Sequence, residues 1–384
     1  MDAGPDETGL GHGSSSPSGP RRLCIGVIQL ALLGVVLVVA AEATARLDDY
    51  VHRGVAFSAV PDLTYDLIIR DSIGTRGRPN GSFQKWHLNS AGFRSPENVL
   101  DRRAGCVRVM ALGSSETFGV AGESPGKEFP AQLADSLGGA GCYQVMNAAI
   151  VGIAVPGMIQ LWDSWAYRFE PDVVVILANP IFYLADNAPA YASRHVGPPD
   201  PPAPWWTPRL LGRAHDMIHY PDFIQRKRVQ RQLRQRVEGK PPNWIFRTVP
   251  EDRLQRYRGD LDSLLVTIRA RGARPVLVAH PIRFGEQLDD TERPFLEALR
   301  IFSPRALPNV MLEFESRAAS EVRQLASRRD VPVVDLPPRM NGHPSLFSDA
   351  VHYSDLGASV VAGEVGRLIR EMAPATSMHG RGAR

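Results

Sequence analysis

A serine hydroxyl becomes a nucleophile only when a base takes its proton and hydrogen-bond donors hold the oxyanion that forms. The chain carries residue types suited to that chemistry in two places. The apolar run Val107–Leu112 ends in Gly113-Ser114-Ser115. Near the far end, Asp349-Ala350-Val351-His352 sets a carboxylate and an imidazole three residues apart. At that spacing the carboxylate reaches one ring nitrogen and fixes the tautomer, leaving the other nitrogen for a hydroxyl. Either segment alone is commonplace, since turns favour Gly and Ser for their own reasons. Together they supply nucleophile, base and orienter in the order Ser, Asp, His. The expected chemistry is acyl transfer through Ser115, with His352 as base and Asp349 as orienter.

These residues need a scaffold that brings distant segments together. From Val107 onward the chain alternates short apolar runs with helical patterns. Strands are expected at Val107–Leu112, Tyr143–Ala148, Val173–Leu177, Val276–Ala279 and Val331–Asp335. Helices are expected at Phe129–Leu137, Pro156–Tyr167, Asp252–Arg271, Leu312–Arg328 and Ser354–Met372. Short apolar strands separated by helices imply a parallel sheet covered on both faces. An insertion at about 187–249 interrupts this alternation. It holds the Pro-rich run Pro198–Pro204, then Trp205-Trp206, then the basic stretch Arg226–Arg236. The basic stretch reads first as a solvated helix face and second as a nucleic-acid or membrane-surface patch. The two Trp either stack on a sugar or anchor the loop. The insertion falls where loops at strand carboxyl ends form a lid or substrate wall.

The blocks around Ser115 and His352 resemble those of the SGNH/GDSL hydrolase superfamily, and the resemblance runs from about Val107 to Leu368. The family's Gly-Asp-Ser-x-Thr-x-Gly stands here as Gly113-Ser114-Ser115-Glu116-Thr117-Phe118-Gly119, with Ser114 in place of the Asp. Its Asn-Ala-x-x-x-Gly stands as Asn147 to Gly152, and its Gly-x-Asn-Asp as Leu177-Ala178-Asn179-Pro180. The segment from Asp349 to Gly357 is the most specific match. The resemblance implies a three-layer α/β/α sandwich with a parallel sheet, the flavodoxin-like SGNH hydrolase fold. It also implies Ser115, Asp349 and His352 as the catalytic residues, and an oxyanion hole from the Ser115 and Gly152 N–H groups and the Asn179 amide. The activity implied is hydrolysis of an ester bond, of the carboxylesterase or deacetylase type.

One segment is not globular in character. Leu23–Ala41 is 19 residues without a charge, about the length that crosses a hydrocarbon core. A single transmembrane helix is the expected reading. A cleaved signal peptide is the alternative, since Ala43-Thr44-Ala45 offers a small-residue site; the apolar run exceeds the roughly 7–15 residues of a signal h-region. Arg21 and Arg22 abut its amino side while Arg46 and Arg53 follow its carboxyl side, a near tie in count; the adjacency of the Arg pair favours a cytoplasmic N-terminus, with the catalytic portion periplasmic or at the cell surface. The expected organisation is a disordered tail at 1–22, the span at 23–41, a stalk and small β-rich extension at 42–104, the hydrolase domain at 105–372 and a disordered tail at 373–384.

Cysteine usage bears on the compartment. Cys106 and Cys142 each stand one residue before an apolar strand. If those strands are parallel neighbours, the two meet at one sheet edge in a geometry that suits a disulfide, which needs an oxidising environment. Two unpaired thiols are the equal alternative. The net charge of +3, from 44 basic and 41 acidic residues, is too small to argue for nucleic acid. His12, His215 and His219 form no metal-ligand pattern, so no metal and no cofactor are expected. His280-Pro281 closes a strand and reads first as a structural turn and second as a group near the site; His343 reads first as a surface loop and second as a substrate contact.

The leading expectation is a membrane-anchored extracytoplasmic esterase acting on an acylated glycan or lipid, with O-acetyl groups on envelope or extracellular glycans as candidates. The rivals are an O-acyltransferase using the same acyl-enzyme, and an inactive glycan-binding or scaffold module, which the altered third block favours. Acyl chain, alcohol and oligomeric state are open.

Overall fold

The computed structural model describes residues 19–53, 56–58, 66–122, 125–138, 142–185, 204, 206–210, 222–285, 288 and 290–372. Residues 1–18 of the first expected tail, the whole of the second, Trp205, and 187–203 and 211–221 of the insertion lie outside them. The chain opens with one long helix, α1 (Gly19–Arg53). Two small hairpins follow, β1 (Ile68–Asp71) with β2 (Gly74–Gly77) and β3 (Ser82–Phe83) with β4 (Trp86–His87).

The sheet that carries the site is built from β5 (Val107–Gly113), β6 (Tyr143–Asn147), β7 (Val173–Leu177), β8 (Arg274–Ala279) and β9 (Val333–Asp335). Its order is β6-β5-β7-β8-β9, with every pair parallel. All five residues of Val173–Leu177 are buried, as a strand covered on both faces requires. Pro275 is tolerated inside β8. The N–H groups of Arg274 and Leu277 bond the carbonyls of Asp172 and Pro332, so the missing Pro275 donor faces the side where β9 has not yet begun.

Successive side chains of β5 go to opposite faces. Met110 and Leu112 join one core with Trp162 of α4 (Val155–Ser164), Leu264 of α6 (Glu251–Ala270) and Phe314 of α8 (Pro308–Arg329). Val109 and Ala111 join the other, with Leu133 of α3 (Phe129–Gly138) and Val365 of α10 (Asp355–Met372). The molecule from β5 onward is therefore a three-layer α/β/α sandwich. Short helices α2 (Ser115–Phe118), α7 (Arg293–Leu299) and α9 (Pro337–Met340), and α5 (Asp222–Val237) within the insertion, complete the set used here. Of these, α2, α7 and α9 have no counterpart in the sequence reading, because each is only two turns long or less.

Residues 66–104 pack onto the sandwich rather than standing apart from it. Ala91 and Phe93 belong to the larger core, while Leu67, Trp86 and Leu88 cluster with Phe118 and Ala149. The far part of α1 is held by the insertion. Glu42 accepts the N–H groups of Arg209 and Leu210, and Arg209 pairs with Asp49 at 3.0 Å with both side chains buried.

Candidate active site

Strand β5 delivers Ser115 to the carboxyl edge of the sheet, at the point where the chain order reverses between its two neighbours β6 and β7. Open α/β sheets form their binding crevices at that edge and that reversal. The turn out of β5 requires glycine. A Cβ on Gly113 would stand 2.0 Å from Thr117 Oγ1 and 2.9 Å from the Leu177 carbonyl oxygen, well inside van der Waals contact. Helix α2 starts at once, with Ser114 at its N-cap, and ends at Gly119 in the left-handed region (φ 85°). Arg94 braces the helix end: its guanidinium donates to the carbonyls of Phe118 and Gly119 and pairs with Glu128 at 2.9 Å.

On the loop before α10, Asp349 folds back on its own segment. Its Oδ1 accepts the N–H groups of Val351 (3.0 Å) and His352 (2.9 Å), and its Oδ2 lies 2.6 Å from His352 Nδ1. The other ring nitrogen, Nε2, stands 2.9 Å from Ser115 Oγ. The three residues read from the sequence thus form one continuous relay, in which Nδ1 carries its proton toward the carboxylate and Nε2 accepts from the serine. Burial alone would raise the Asp349 pKa, but the bond from His352 and the two backbone donors hold it below the usual carboxylate range. Burial would likewise disfavour charge on His352. The Asp349 hydrogen bond and the nearby negative charges of Glu116 and Asp349 outweigh it, and its pKa is raised.

On the oxyanion side, two of the expected donors are engaged in the resting site. Gly152 and Asn179 lie beside Ser115 on a shared cavity wall, yet the Gly152 N–H donates to Ser114 Oγ at 3.2 Å. The serine that stands where the family has Asp is fully buried and takes that donor. The Asn179 side chain is also engaged: Oδ1 accepts from Ile181 N–H at 2.9 Å, and Nδ2 donates to the Glu116 carboxylate. Neither group is simply free, because each has a protein acceptor within reach in the resting site.

Two further groups lie behind Ser115, of which Glu116 escaped the sequence reading. Glu116 turns inward behind Ser115, and His280, read first as a structural turn and second as a group near the site, is buried between Glu116 and Glu315 of α8. The available signal for Glu116 was a charge directly after Ser115, in a turn otherwise built of small, apolar or hydroxyl residues. His343 is exposed and stands apart from the relay, as a surface loop should.

A cavity of about 1070 Å³ opens over Ser115. Among the described residues its walls include Ile181, Trp244, Phe295, Phe302 and Val351, with Arg236 and Lys240 contributed by the insertion. No cluster of metal-ligating side chains occurs among the described residues. Cys106 and Cys142 are joined as a disulfide with Cα atoms 4.5 Å apart, directly before the paired residues Val107 and Tyr143 of β5 and β6.

No protein-family model matches the sequence, and no curated protein matches it. Several solved structures are similar in shape. A GDSL-like lipase of Bacteroides thetaiotaomicron is 11% identical, covering 69% of this chain and 89% of its own, with a TM-score of 0.38. A lipase/acylhydrolase of Enterococcus faecalis is 13% identical, covering 69% and 96%, with a TM-score of 0.41. An acetylxylan esterase of Geobacillus stearothermophilus is 15% identical, covering 72% and 97%, also with a TM-score of 0.41. Functional assignment therefore rests on the side chains described above.

Proposed function

We propose that this chain is an SGNH-type serine esterase, anchored in a membrane by α1 and working outside the cytoplasm. The observation that carries the reading is the unbroken relay from Asp349 through His352 to Ser115 at the carboxyl edge of the sheet. Neutral His352 takes the Ser115 proton as Oγ attacks the ester carbonyl. The oxyanion that forms is held by the Ser115 N–H, by one N–H of the Asn179 amide, and by the Gly152 N–H once it is shared with Ser114 Oγ. Charged His352 then protonates the departing alcohol, leaving an acyl-enzyme. A water, deprotonated by the same imidazole, attacks the acyl carbon and restores Ser115.

Support for the anchor comes from Gly26–Val51 within α1, which holds an 18-residue window of mean hydropathy 2.2 with none of it buried in the molecule. A signal sequence has the same composition near an N-terminus; retention of the chain in membranes after alkaline carbonate extraction separates the two. The Cys106–Cys142 disulfide supports an oxidising compartment. Short acyl esters on envelope or extracellular glycans, or on lipids, fit that location. The cavity is far larger than an acetyl group, which favours transfer to an alcohol acceptor as the second reading.

The test uses full-length protein in detergent with a fluorophosphonate probe and a short-chain aryl ester. Wild type should label at Ser115 and hydrolyse the ester, and Ser115→Ala should do neither. Full labelling of Ser115→Ala would show that the nucleophile is another residue. An unreactive wild type would instead favour a binding module.

A further inference from the structure

Directly behind the nucleophile lies a row of charged side chains that the relay does not use. Glu116 is only 3% exposed. Its Oε1 lies 3.7 Å from His280 Nε2, and His280 Nδ1 lies 3.1 Å from Glu315 Oε2. Tyr257, from α6, and Tyr353, beside His352, are buried close to the same carboxylates. Two carboxylates in a core without a counter-charge would each cost several kcal/mol. A proton on His280 therefore offsets one of the two charges. Burial opposes that charge, but Glu315 and Glu116 overcome it and push the His280 pKa up to about 9.

Well-packed apolar residues usually serve a core as well as buried ion pairs do, so the question is what this cluster touches. Glu116 touches the site twice. One oxygen accepts from Asn179 Nδ2, and the other lies 3.5 Å from Ser115 Oγ. The Asn179 amide is thereby fully oriented: Ile181 N–H marks the oxygen end and Glu116 the nitrogen end. Its second N–H is left for an oxyanion. Burial and the charge of His280 disfavour a proton on His352, and Glu116 joins Asp349 as a negative charge that favours it.

We propose that Glu116 is a positioning residue of this active site: it orients the Asn179 amide as an oxyanion donor and places a second negative charge behind His352, while His280 and Glu315 hold its carboxylate in place. A carboxylate beside a forming oxyanion opposes it, and the His280 proton lessens that penalty while leaving Glu116 charged. The inference rests on the serine-esterase reading and adds to it a group outside the triad.

The test compares full-length wild type, Glu116→Gln and Glu116→Ala in detergent, by fluorophosphonate labelling and aryl-ester kinetics across pH. Glu116→Gln keeps an acceptor for Asn179 but loses the charge, so the acid limb of kcat/KM should move to lower pH. Glu116→Ala also releases the Asn179 amide. Its kcat should fall by about 10²-fold, the scale of a lost oxyanion donor, with KM within about threefold. Two variants that retain the wild-type kcat and acid limb overturn the proposal and leave the esterase reading standing. So does a loss of melting temperature and kcat with the acid limb unmoved, which marks a structural role. A wild type that neither labels nor turns over overturns both. Should the variants fail to fold, ring-nitrogen NMR of wild type with labelled histidine decides. A doubly protonated His280 at pH 7.5 supports the cluster as drawn, and a neutral one overturns it.

Discussion

Ser115 Oγ and His352 Nε2 stand 2.9 Å apart although 237 residues of chain separate them. That contact is made by register: β5 and β7 end together at the sheet edge, and the Asp349 loop folds over it.

Asp349 should matter through the tautomer it enforces. Asp349→Asn keeps the shape but offers a donor to Nδ1, turning the proton to Nε2, where the serine must give its own. We expect kcat to fall by roughly 10²–10⁴-fold with little change in KM. Steady-state kinetics on an aryl ester would check this; a drop of less than tenfold would argue that Asp349 does not orient the base.

The pH profile follows from the raised His352 pKa. His352 must be neutral to accept the Ser115 proton, so the active fraction grows as pH rises through its pKa. That pKa lies above the ordinary 6.5, so the acid midpoint of kcat/KM should also lie above 6.5. A midpoint below the ordinary imidazole value would contradict the electrostatics of the site. His280 gives a matching stability effect. Its folded pKa of about 9 exceeds the unfolded 6.5, so its contribution is fully present below pH 6.5 and lost as pH rises through about 9. Thermal midpoints of wild type should decline across that window more steeply than those of His280→Gln.

Gly113→Ala should damage both stability and catalysis. Its methyl group would be forced against Thr117 Oγ1 and the Leu177 carbonyl. Overpacking of this kind costs roughly 1–3 kcal/mol, and the relief available is a shift of α2 that carries Ser115 away from His352. Denaturant melts and labelling rates measured together should both fall; an unchanged labelling rate would mean that the turn adapts elsewhere.

The Cys106–Cys142 bond spans 36 residues and ties the first two strands of the sheet at their start. Chain entropy sets the loss on replacing both by Ser at about 4 kcal/mol. The double variant should melt several degrees lower, and reductant should bring wild type to the same value. Equal melting of both forms without reductant would show the bond to be idle or absent in the native protein.

Much of the molecule was legible locally. The five strands were readable because buried parallel strands are runs of apolar residues, and Val173–Leu177 is the clearest case. Ser115 was readable because a sharp exit from β5 needs glycine at 113, and Asp349 with His352 because their hydrogen bonds close within four residues. Boundaries shifted where neighbours decided them: β9 begins at Val333 rather than Val331, since pairing with β8 starts only there.

What the sequence determined by itself was therefore the periodic and the adjacent: a parallel α/β sandwich, an apolar N-terminal helix, the turn that presents Ser115, and the Asp349–His352 pair. Only the tertiary structure decided the relations among distant side chains. It turned Glu116 inward onto Asn179, set His280 between two carboxylates from separate helices, gave Ser114 the Gly152 N–H, and brought Arg94 from the hairpin region to brace the end of α2. Those contacts join elements through sheet order and register. A charged residue's burial and partner depend on which elements cross beside it, and no local pattern encodes that.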